Sequence, residues 1–223
     1  TNLTHYNLEE KGNPNKNLEP IFTSILEAGD KVIEVGAGYG TFTVALAEKV
    51  GVSGNVISFE PNSNISNYLR ETKRINNLNQ IQIIEQAASH EIDYSLLKIG
   101  SIEEHAVLDK DKGTLFINTT TIDSVVECNA IKTAKLVVLD TFGAWKEILA
   151  GAKDLINNVQ PIMCIGNNNK LDHDSLKILK NNGYQFFEFI EEVGVLSKLE
   201  EGNISTVKWL FALTDEWTKK LES

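Results

Sequence analysis

A β-branched run that leads directly into a glycine-rich segment constrains this chain more than any other feature. Residues 32–40 are Val-Ile-Glu-Val-Gly-Ala-Gly-Tyr-Gly, so an acid lies on the predicted strand and glycines follow at alternate positions. Glycine lets a backbone turn sharply, or approach a ligand where a Cβ atom would collide. Residues 41–50 have the spacing of an amphipathic helix, whose first N–H groups would point at whatever the loop holds. The sequence therefore predicts a strand, a ligand-binding loop and a helix in succession.

Segments typical of strands and helices alternate along the rest of the chain. Further strands are predicted at residues 55–60, 81–87, 136–139, 161–165, 184–190 and 207–213, and further helices at 18–26, 63–75, 145–157 and 175–181. Residues 93–112 look irregular, and residues 114–121 are β-prone without a clear place in the main sheet. This alternation predicts an α/β fold with a doubly wound, mostly parallel, seven-stranded sheet and helices on both faces.

Composition limits the partners and the domain organisation. Residues 1–17 are polar and contain Gly12, Pro14 and several asparagines, which predicts a loose arm or linker before a domain at residues 18–223. The net charge of −10 argues against nucleic-acid or anionic-membrane partners, which require basic surfaces. The sequence has no apolar run long enough to span a bilayer and no signal peptide, so it predicts a cytoplasmic protein without membrane insertion.

The ends of the first three predicted strands indicate how a ligand is held. In doubly wound folds the ligand lies beyond the carboxyl ends of the strands, next to the first strand. Glu60 ends the second strand about twenty residues after the loop, where a carboxylate can accept two ribose hydroxyls. Pro61 starts a turn away from the sheet, and Ala87-Ala88 offers small side chains and free backbone N–H groups to an adenine edge. These features together predict a nucleoside-containing cofactor.

The alternate glycines with an acid at Glu34 resemble the first motif of class I S-adenosylmethionine (SAM) methyltransferases. A dinucleotide-binding fingerprint would instead need a glycine where Thr41 stands. The resemblance implies SAM as cofactor and S-adenosylhomocysteine as its product. The predicted cofactor-binding residues are Glu34, Gly36, Ala37, Gly38, Gly40, Glu60, Pro61, Asn62, Ala87 and Ala88.

Several segments are similar to the FkbM family of SAM-dependent O-methyltransferases, which act largely on sugars and other small hydroxylated groups. They are residues 32–40 with Thr43, Phe59-Glu60-Pro61, Asn76-Asn77, Thr120-Thr121-Ile122-Asp123-Ser124 and Gly151-Ala152. The resemblance covers the chain from Asp30 to about Tyr184. It implies O-methylation of a sugar or glycan hydroxyl. The polar arm and a first residue that is not Met would suit a domain of a larger glycan-building protein, fused to glycosyltransferase domains.

The second half departs from that family. Of the family's charged residues around Asp140, only Asp140 itself remains, and Val138, Phe142 and Trp145 replace the others. Residues 166–169 are Gly-Asn-Asn-Asn where the family tends to have a glutamate. Either the acceptor differs from the family's usual one, or catalysis has been lost.

Candidate acceptor-side residues each have two interpretations. Asp140 is the first choice for a general base, although it can equally hold the cofactor's amine or the loop N–H groups, and His105 is the second choice. Trp145 forms either an apolar wall for a sugar ring or part of the core. Asn167 and Asn168 either bind acceptor hydroxyls or form a turn, and a metal requirement is not expected.

Two rival functions stay open at this point. One is a catalytically inactive methyltransferase fold that acts as a SAM-binding or interaction module, which the lost acidic residues favour. The other is an NAD(P)-dependent Rossmann oxidoreductase, which Thr41 disfavours.

Overall fold

The main sheet of the computed structural model contains eight strands. The structure describes residues 16–100, 106–129, 131–167, 171, 174, 176–199, 204 and 207–222. The strands are β1 (Lys31–Val35), β2 (Asn55–Phe59), β3 (Ile81–Ile84), β4 (Ala87–Ala88), β5 (Asp93–Ile99), β6 (Ala106–Leu108), β7 (Leu115–Thr120), β8 (Leu136–Leu139), β9 (Ile162–Gly166), β10 (Gln185–Ile190), β11 (Val195–Lys198) and β12 (Trp209–Leu213). The α-helices are α1 (Glu19–Ile25), α2 (Thr43–Val50), α3 (Ser63–Ile75), α4 (Ile122–Cys128), α5 (Trp145–Ala150), α6 (Lys177–Asn181) and α7 (Asp215–Glu222).

The strand order of the main sheet is β3-β2-β1-β8-β9-β12-β10-β11. The first five strands are parallel, and each later strand pairs antiparallel with its neighbour. The α/β prediction is therefore confirmed, but the mostly parallel, seven-stranded sheet is corrected to a mixed sheet of eight. The extra strand is β11, which returns after a turn at Gly194 and pairs with β10. It escaped prediction because it is short and largely exposed, so it lacks an apolar pattern.

Helices cover both faces of this sheet, as predicted. Alternate residues of β8 contribute to two different hydrophobic clusters: Val137 and Leu139 to one, Leu136 and Val138 to the other. The first cluster includes buried residues of α4, α5 and α6, and the second includes buried residues of α1 and α2. All four residues of β8 are buried, which explains their continuous apolar run.

A second sheet of four strands, the small sheet, has the order β4-β7-β5-β6. The strand predicted at residues 81–87 ends at Ile84, and Ala87-Ala88 pairs instead with Thr119-Thr120 of β7. Residues 93–112, which we predicted to be irregular, contain β5 and β6, and the β-prone residues 114–121 contain β7. In the sequence, the strands of the small sheet come between β3 and β8, which both belong to the parallel part of the main sheet.

Most predicted helices are present, with one interruption. Asn62 caps α3, since its side chain accepts a hydrogen bond from Asn64 N–H. The helix predicted at residues 145–157 ends at Ala150 and resumes as a π-helical turn at Leu155–Val159. No helix among the described residues is long and apolar enough to cross a membrane.

Candidate active site

A cavity of about 530 Å³ lies at the carboxyl ends of β1, β2 and β8, between the main sheet and the small sheet. Its volume falls within the range of small-molecule binding sites. The main sheet contributes residues 35–38, 59–61 and 140–144, and the small sheet contributes residues of β4 to β7. The cavity therefore lies at the strand ends where we predicted a ligand site, and it has a second wall that was not predicted.

The glycine loop closes tightly onto β2. The backbone N–H groups of Gly36 and Ala37 both donate to the Phe59 carbonyl, at 3.0 Å each. Gly36 has a φ of +85°, and a Cβ atom there would lie 2.1 Å from the Asp140 carbonyl oxygen. No other residue type fits this position without moving the backbone. Gly36, Ala37 and Gly38 line the cavity, whereas Gly40 does not.

Glu60 anchors the loop from the end of β2. One carboxylate oxygen accepts a hydrogen bond from Gly38 N–H at 3.0 Å, and the other accepts one from Asn62 N–H at 2.9 Å. Both oxygens of the Glu60 carboxylate therefore help to hold the glycine loop and the turn after β2. Glu60 and Pro61 line the cavity as predicted, but Asn62 caps α3 and is not among the lining residues.

Glu34 lies beneath the glycine loop, outside the cavity wall. Its side chain is fully buried, and one oxygen accepts hydrogen bonds from the Thr43 hydroxyl at 2.6 Å and the Ser58 hydroxyl at 2.7 Å. The other oxygen has no hydrogen-bond partner among the described residues. We predicted that Glu34 contacts the cofactor, but its contacts instead join α2 and β2 beneath the loop.

Burial raises the pKa of Glu34 to about 7, while the two hydroxyl hydrogen bonds lower it and the Asp140 charge raises it further. Below pH 4.5 the carboxyl is protonated in both folded and unfolded chains. Between pH 4.5 and 7 only the unfolded chain ionises freely, so the contribution of Glu34 to stability falls by roughly 3 kcal/mol as the pH rises.

We therefore expect Glu34→Gln to flatten this dependence. Urea unfolding should show that the wild type loses stability relative to the variant as the pH rises from 5.5 to 8. Glu85→Gln is the control, because hydrogen bonding from Ser66 and the Arg70 charge lower the pKa of Glu85. The Glu85 carboxylate is therefore ionised in both folded and unfolded chains over this pH range, and that control should show no such shift. If the unfolding free energies of Glu34→Gln and the wild type changed equally with pH, the raised pKa of Glu34 would be wrong.

The segment after β3 supplies small side chains to the cavity. Ala87 and Ala88 are buried and line it, as do Ser89 and His90. The free backbone N–H groups predicted here are available only in part, because Ser89 N–H donates to the Thr120 carbonyl at 2.8 Å. This segment therefore suits the flat face of an adenine better than its hydrogen-bonding edge.

Asp140 follows β8 and lines the cavity. Its backbone N–H donates to the Val35 carbonyl at 2.9 Å, which fixes it beside the glycine loop. Its charge contributes to the raised pKa of both Glu34 and Cys164. This position is compatible with both roles that the sequence suggested for Asp140: general base for the acceptor, or a ligand that holds the cofactor's amine or the loop.

The other predicted acceptor-side residues do not gather around Asp140. Trp145 is 3% exposed, lies in the core and does not line the cavity. Asn167 is also buried, and its side-chain amide donates to the carbonyls of Ile204 and Val207, so it holds the chain segments together. His105 and Asn168 lie outside the described residues.

Sequence reasoning missed the residues that the small sheet and α5 contribute. Ser95, Leu97, Ala106, Leu108 and Lys110 line the cavity from the small sheet and its turn, and Phe142 and Glu147 line it from the region after β8. Burial alternates along β5, but the sequence does not show it, because Ser95 is buried and Tyr94 is exposed.

Two segments that carried the family resemblance have structural roles. Asp123 accepts hydrogen bonds from the backbone N–H groups of Asp154 and Leu155 at 3.0 Å each. A Cβ atom at Gly151 would lie 1.9 Å from the Ser89 carbonyl oxygen, so this glycine permits close packing against the segment after β4. Both residues fix the cavity wall without lining it.

The comparisons with known proteins agree on a fold. The sequence model of the methyltransferase FkbM domain matches residues 34–186, which is more than half of the chain. No curated protein sequence matches the chain. Among solved structures, methyltransferase FkbM from Methylobacillus flagellatus KT aligns with a TM-score of 0.56 and 16% identity, over 85% of this chain and 47% of that one. The chain thus spans about half the length of that protein.

Two further structures extend the likeness. A putative rRNA-methylase from Clostridium thermocellum has a TM-score of 0.52 and 13% identity, over 87% of this chain and 90% of that one. Aeropyrum pernix fibrillarin, solved in complex with natively bound SAM, has a TM-score of 0.50 and 9% identity, over 84% and 67%. At these identities the likeness shows an α/β fold similar to that of class I methyltransferases.

Proposed function

This chain belongs to the FkbM methyltransferase family, and we propose that it transfers a methyl group from SAM to a hydroxyl group of a sugar or glycan. The observation that supports the proposal best is the cavity itself. The Gly36–Gly38 loop, Glu60 and Asp140 converge on it from the ends of three adjacent parallel strands.

The residues present fit SAM. Gly36, Ala37 and Gly38 line the cavity with little more than main chain, so a ligand can approach the loop backbone. Glu60 would hold the ribose hydroxyls, Ala87 and Ala88 would flank the adenine, and Asp140 would lie near the methionine end. When bound, SAM supplies an electrophilic methyl group.

Asp140 is the proposed general base. An acceptor hydroxyl beside its carboxylate would transfer its proton there as the hydroxyl oxygen bonds to the methyl carbon and the carbon–sulfur bond breaks. Positioning by the cavity walls supplies much of the acceleration of such an in-line displacement. No group of three or more His, Cys, Asp or Glu side chains that could hold a metal ion occurs among the described residues.

Calorimetric titration with SAM, S-adenosylhomocysteine and NAD tests the cofactor. We expect the first two to bind and NAD not to bind. Glu60→Ala should weaken SAM binding about a hundredfold, because it removes the ribose acceptors together with the anchor of Gly38. Glu85→Ala is the matched control: that carboxylate bonds to Ser66 on α3 and does not line the cavity. Equal SAM affinity in Glu60→Ala and the wild type would remove the ribose assignment.

The two rival functions make different predictions for this titration and for a methyl-transfer assay. A catalytically inactive module, which the replacement of family acids by Phe142 and Trp145 favours, would bind SAM without methyl transfer to any sugar. An oxidoreductase would bind NAD. Tyr94 and Lys98 have the Tyr-x-x-x-Lys spacing of some reductases, but both lie on β5, where four residues span about 13 Å. They therefore cannot form the helical pair that such reductases use.

A domain of a larger glycan-building protein in the cytoplasm, fused to glycosyltransferases, remains part of the proposal. The share of the Methylobacillus protein that this chain spans is compatible with it. Mass spectrometry of the full-length protein from its source would test the fusion directly.

A further inference from the structure

The cavity wall opposite the glycine loop is the buried face of the small sheet. We call the lining residues Ser95, Leu97, Ala106 and Leu108 the small-sheet face. Leu97 is 3% exposed, yet it belongs to a separate small cluster with Ala87 and Ile117 and not to either core cluster of the main sheet. The apolar side chains of this face therefore turn toward the cavity and gain little cover from the main core.

Ser95 places a polar group in this apolar face. The residue is 4% exposed and lines the cavity, so its hydroxyl is placed to meet a ligand. Thr119, equally buried, differs: its hydroxyl donates to the Glu91 carbonyl and accepts from Asp93 N–H. A ligand hydroxyl that pairs with the Ser95 hydroxyl would replace water at this point of an apolar wall, which favours its binding.

The charges around the cavity select against anions. Its described lining includes five carboxylates and one lysine; the carboxylates are those of Glu60, Glu91, Asp93, Asp140 and Glu147. The lysine, Lys110, lies 3.5 Å from a carboxylate oxygen of Asp93, which offsets its charge. A carboxylate or phosphate group on the acceptor would meet like charge here, whereas the cationic sulfonium of SAM would meet opposite charge.

We infer that the small-sheet face is the acceptor subsite and that it binds an uncharged pyranose ring, with a C–H face against Leu97 and Leu108 and a hydroxyl on Ser95. This inference rests on the proposed function and specifies its substrate class. Phe142, which stands where the family has a charged residue, adds a further apolar group to the same cavity. On this inference, the replacement of the family's charged residues reflects a different acceptor and not a loss of catalysis.

Saturation-transfer NMR tests the subsite independently of turnover. The probes are the methyl glycosides of glucose, galactose, mannose, fucose and rhamnose, and those of glucuronic and galacturonic acid, each titrated with saturating S-adenosylhomocysteine. The variants are Ser95→Ala, Ala106→Leu and, as control, Phe116→Ala. Phe116 is 62% exposed on the opposite face of the small sheet and stacks on Tyr94.

At least one neutral glycoside should bind, with the strongest transfer to its ring C–H protons, and its uronic-acid counterpart should bind at least about tenfold more weakly. Ser95→Ala should raise Kd about threefold to tenfold, as expected for one hydrogen bond, and Ala106→Leu should abolish binding by filling the subsite. Phe116→Ala should leave Kd unchanged, and all three variants should retain S-adenosylhomocysteine affinity.

Three results would overturn the inference: no neutral glycoside binds, the uronic acids bind equally well, or Ser95→Ala and Ala106→Leu bind like the wild type. Failure of the proposed function has a different signature. In that case a bound glycoside would receive no labelled methyl from SAM, although the variants still changed its Kd.

Discussion

Gly36→Ala is expected to abolish SAM binding and to lower the free energy of unfolding by about 3 kcal/mol. Part of this loss is backbone strain, because φ at Gly36 is +85° and an L-residue pays about 1–2 kcal/mol there. The rest is steric, since the new Cβ would lie 2.1 Å from the Asp140 carbonyl oxygen. Relief requires β1 and β8 to separate at the loop, which displaces both Asp140 and the amides beside Glu60.

Gly183→Ala separates these two contributions. Its φ of +80° is nearly the same, but a Cβ atom there has nothing within 4 Å. This control should show only the strain cost and should bind SAM like the wild type. Urea unfolding and calorimetry on both variants give the comparison. If Gly36→Ala were no less stable than Gly183→Ala and kept its SAM affinity, the close approach of the loop to Asp140 would be wrong.

The parallel part of the main sheet could be predicted because its strands are buried on both faces. β8 has four fully buried apolar residues, and β1 and β2 have four buried positions each. Such strands form continuous apolar runs that end at polar or glycine residues. The same regularity located the glycine loop and Glu60, since both follow directly from strand ends.

The small sheet could not be predicted in the same way. Its strands are half exposed, so their pattern is weak, and β4 consists of two alanines whose pairing with β7 depends on residues more than thirty positions away. Ala87 looked like the end of a central strand because local sequence does not show that the chain changes sheets after Ile84. Half of the cavity wall was missed for this reason.

Individual side chains were harder to predict than the loops that carry them. Trp145 and Asn167 follow strands at the expected edge of the sheet, yet both are buried and face away from the cavity. Glu34 was predicted to bind the cofactor, but its two hydroxyl partners come from α2 and β2. Which way a side chain points depends on packing between segments distant in sequence.

Asp140→Asn is expected to reduce kcat by 10²- to 10⁴-fold while changing SAM affinity less than about threefold. Asparagine preserves the shape of the side chain and one acceptor oxygen, but it cannot take a proton from the acceptor hydroxyl. The second interpretation of Asp140, a ligand for the cofactor's amine, predicts the reverse: SAM affinity would fall and kcat at saturation would change little. Steady-state kinetics together with calorimetry distinguish the two.

Glu147→Gln is the matched control, because Glu147 is the other carboxylate that the region after β8 contributes to the cavity. It is exposed on α5 and lies two residues beyond the buried Trp145. The variant should retain nearly full kcat. If Glu147→Gln instead lost activity and Asp140→Asn retained it, the proton acceptor would be Glu147, and Asp140 would serve only to hold the loop and the cofactor. Equal, large losses in both would mean that the two carboxylates share the proton transfer.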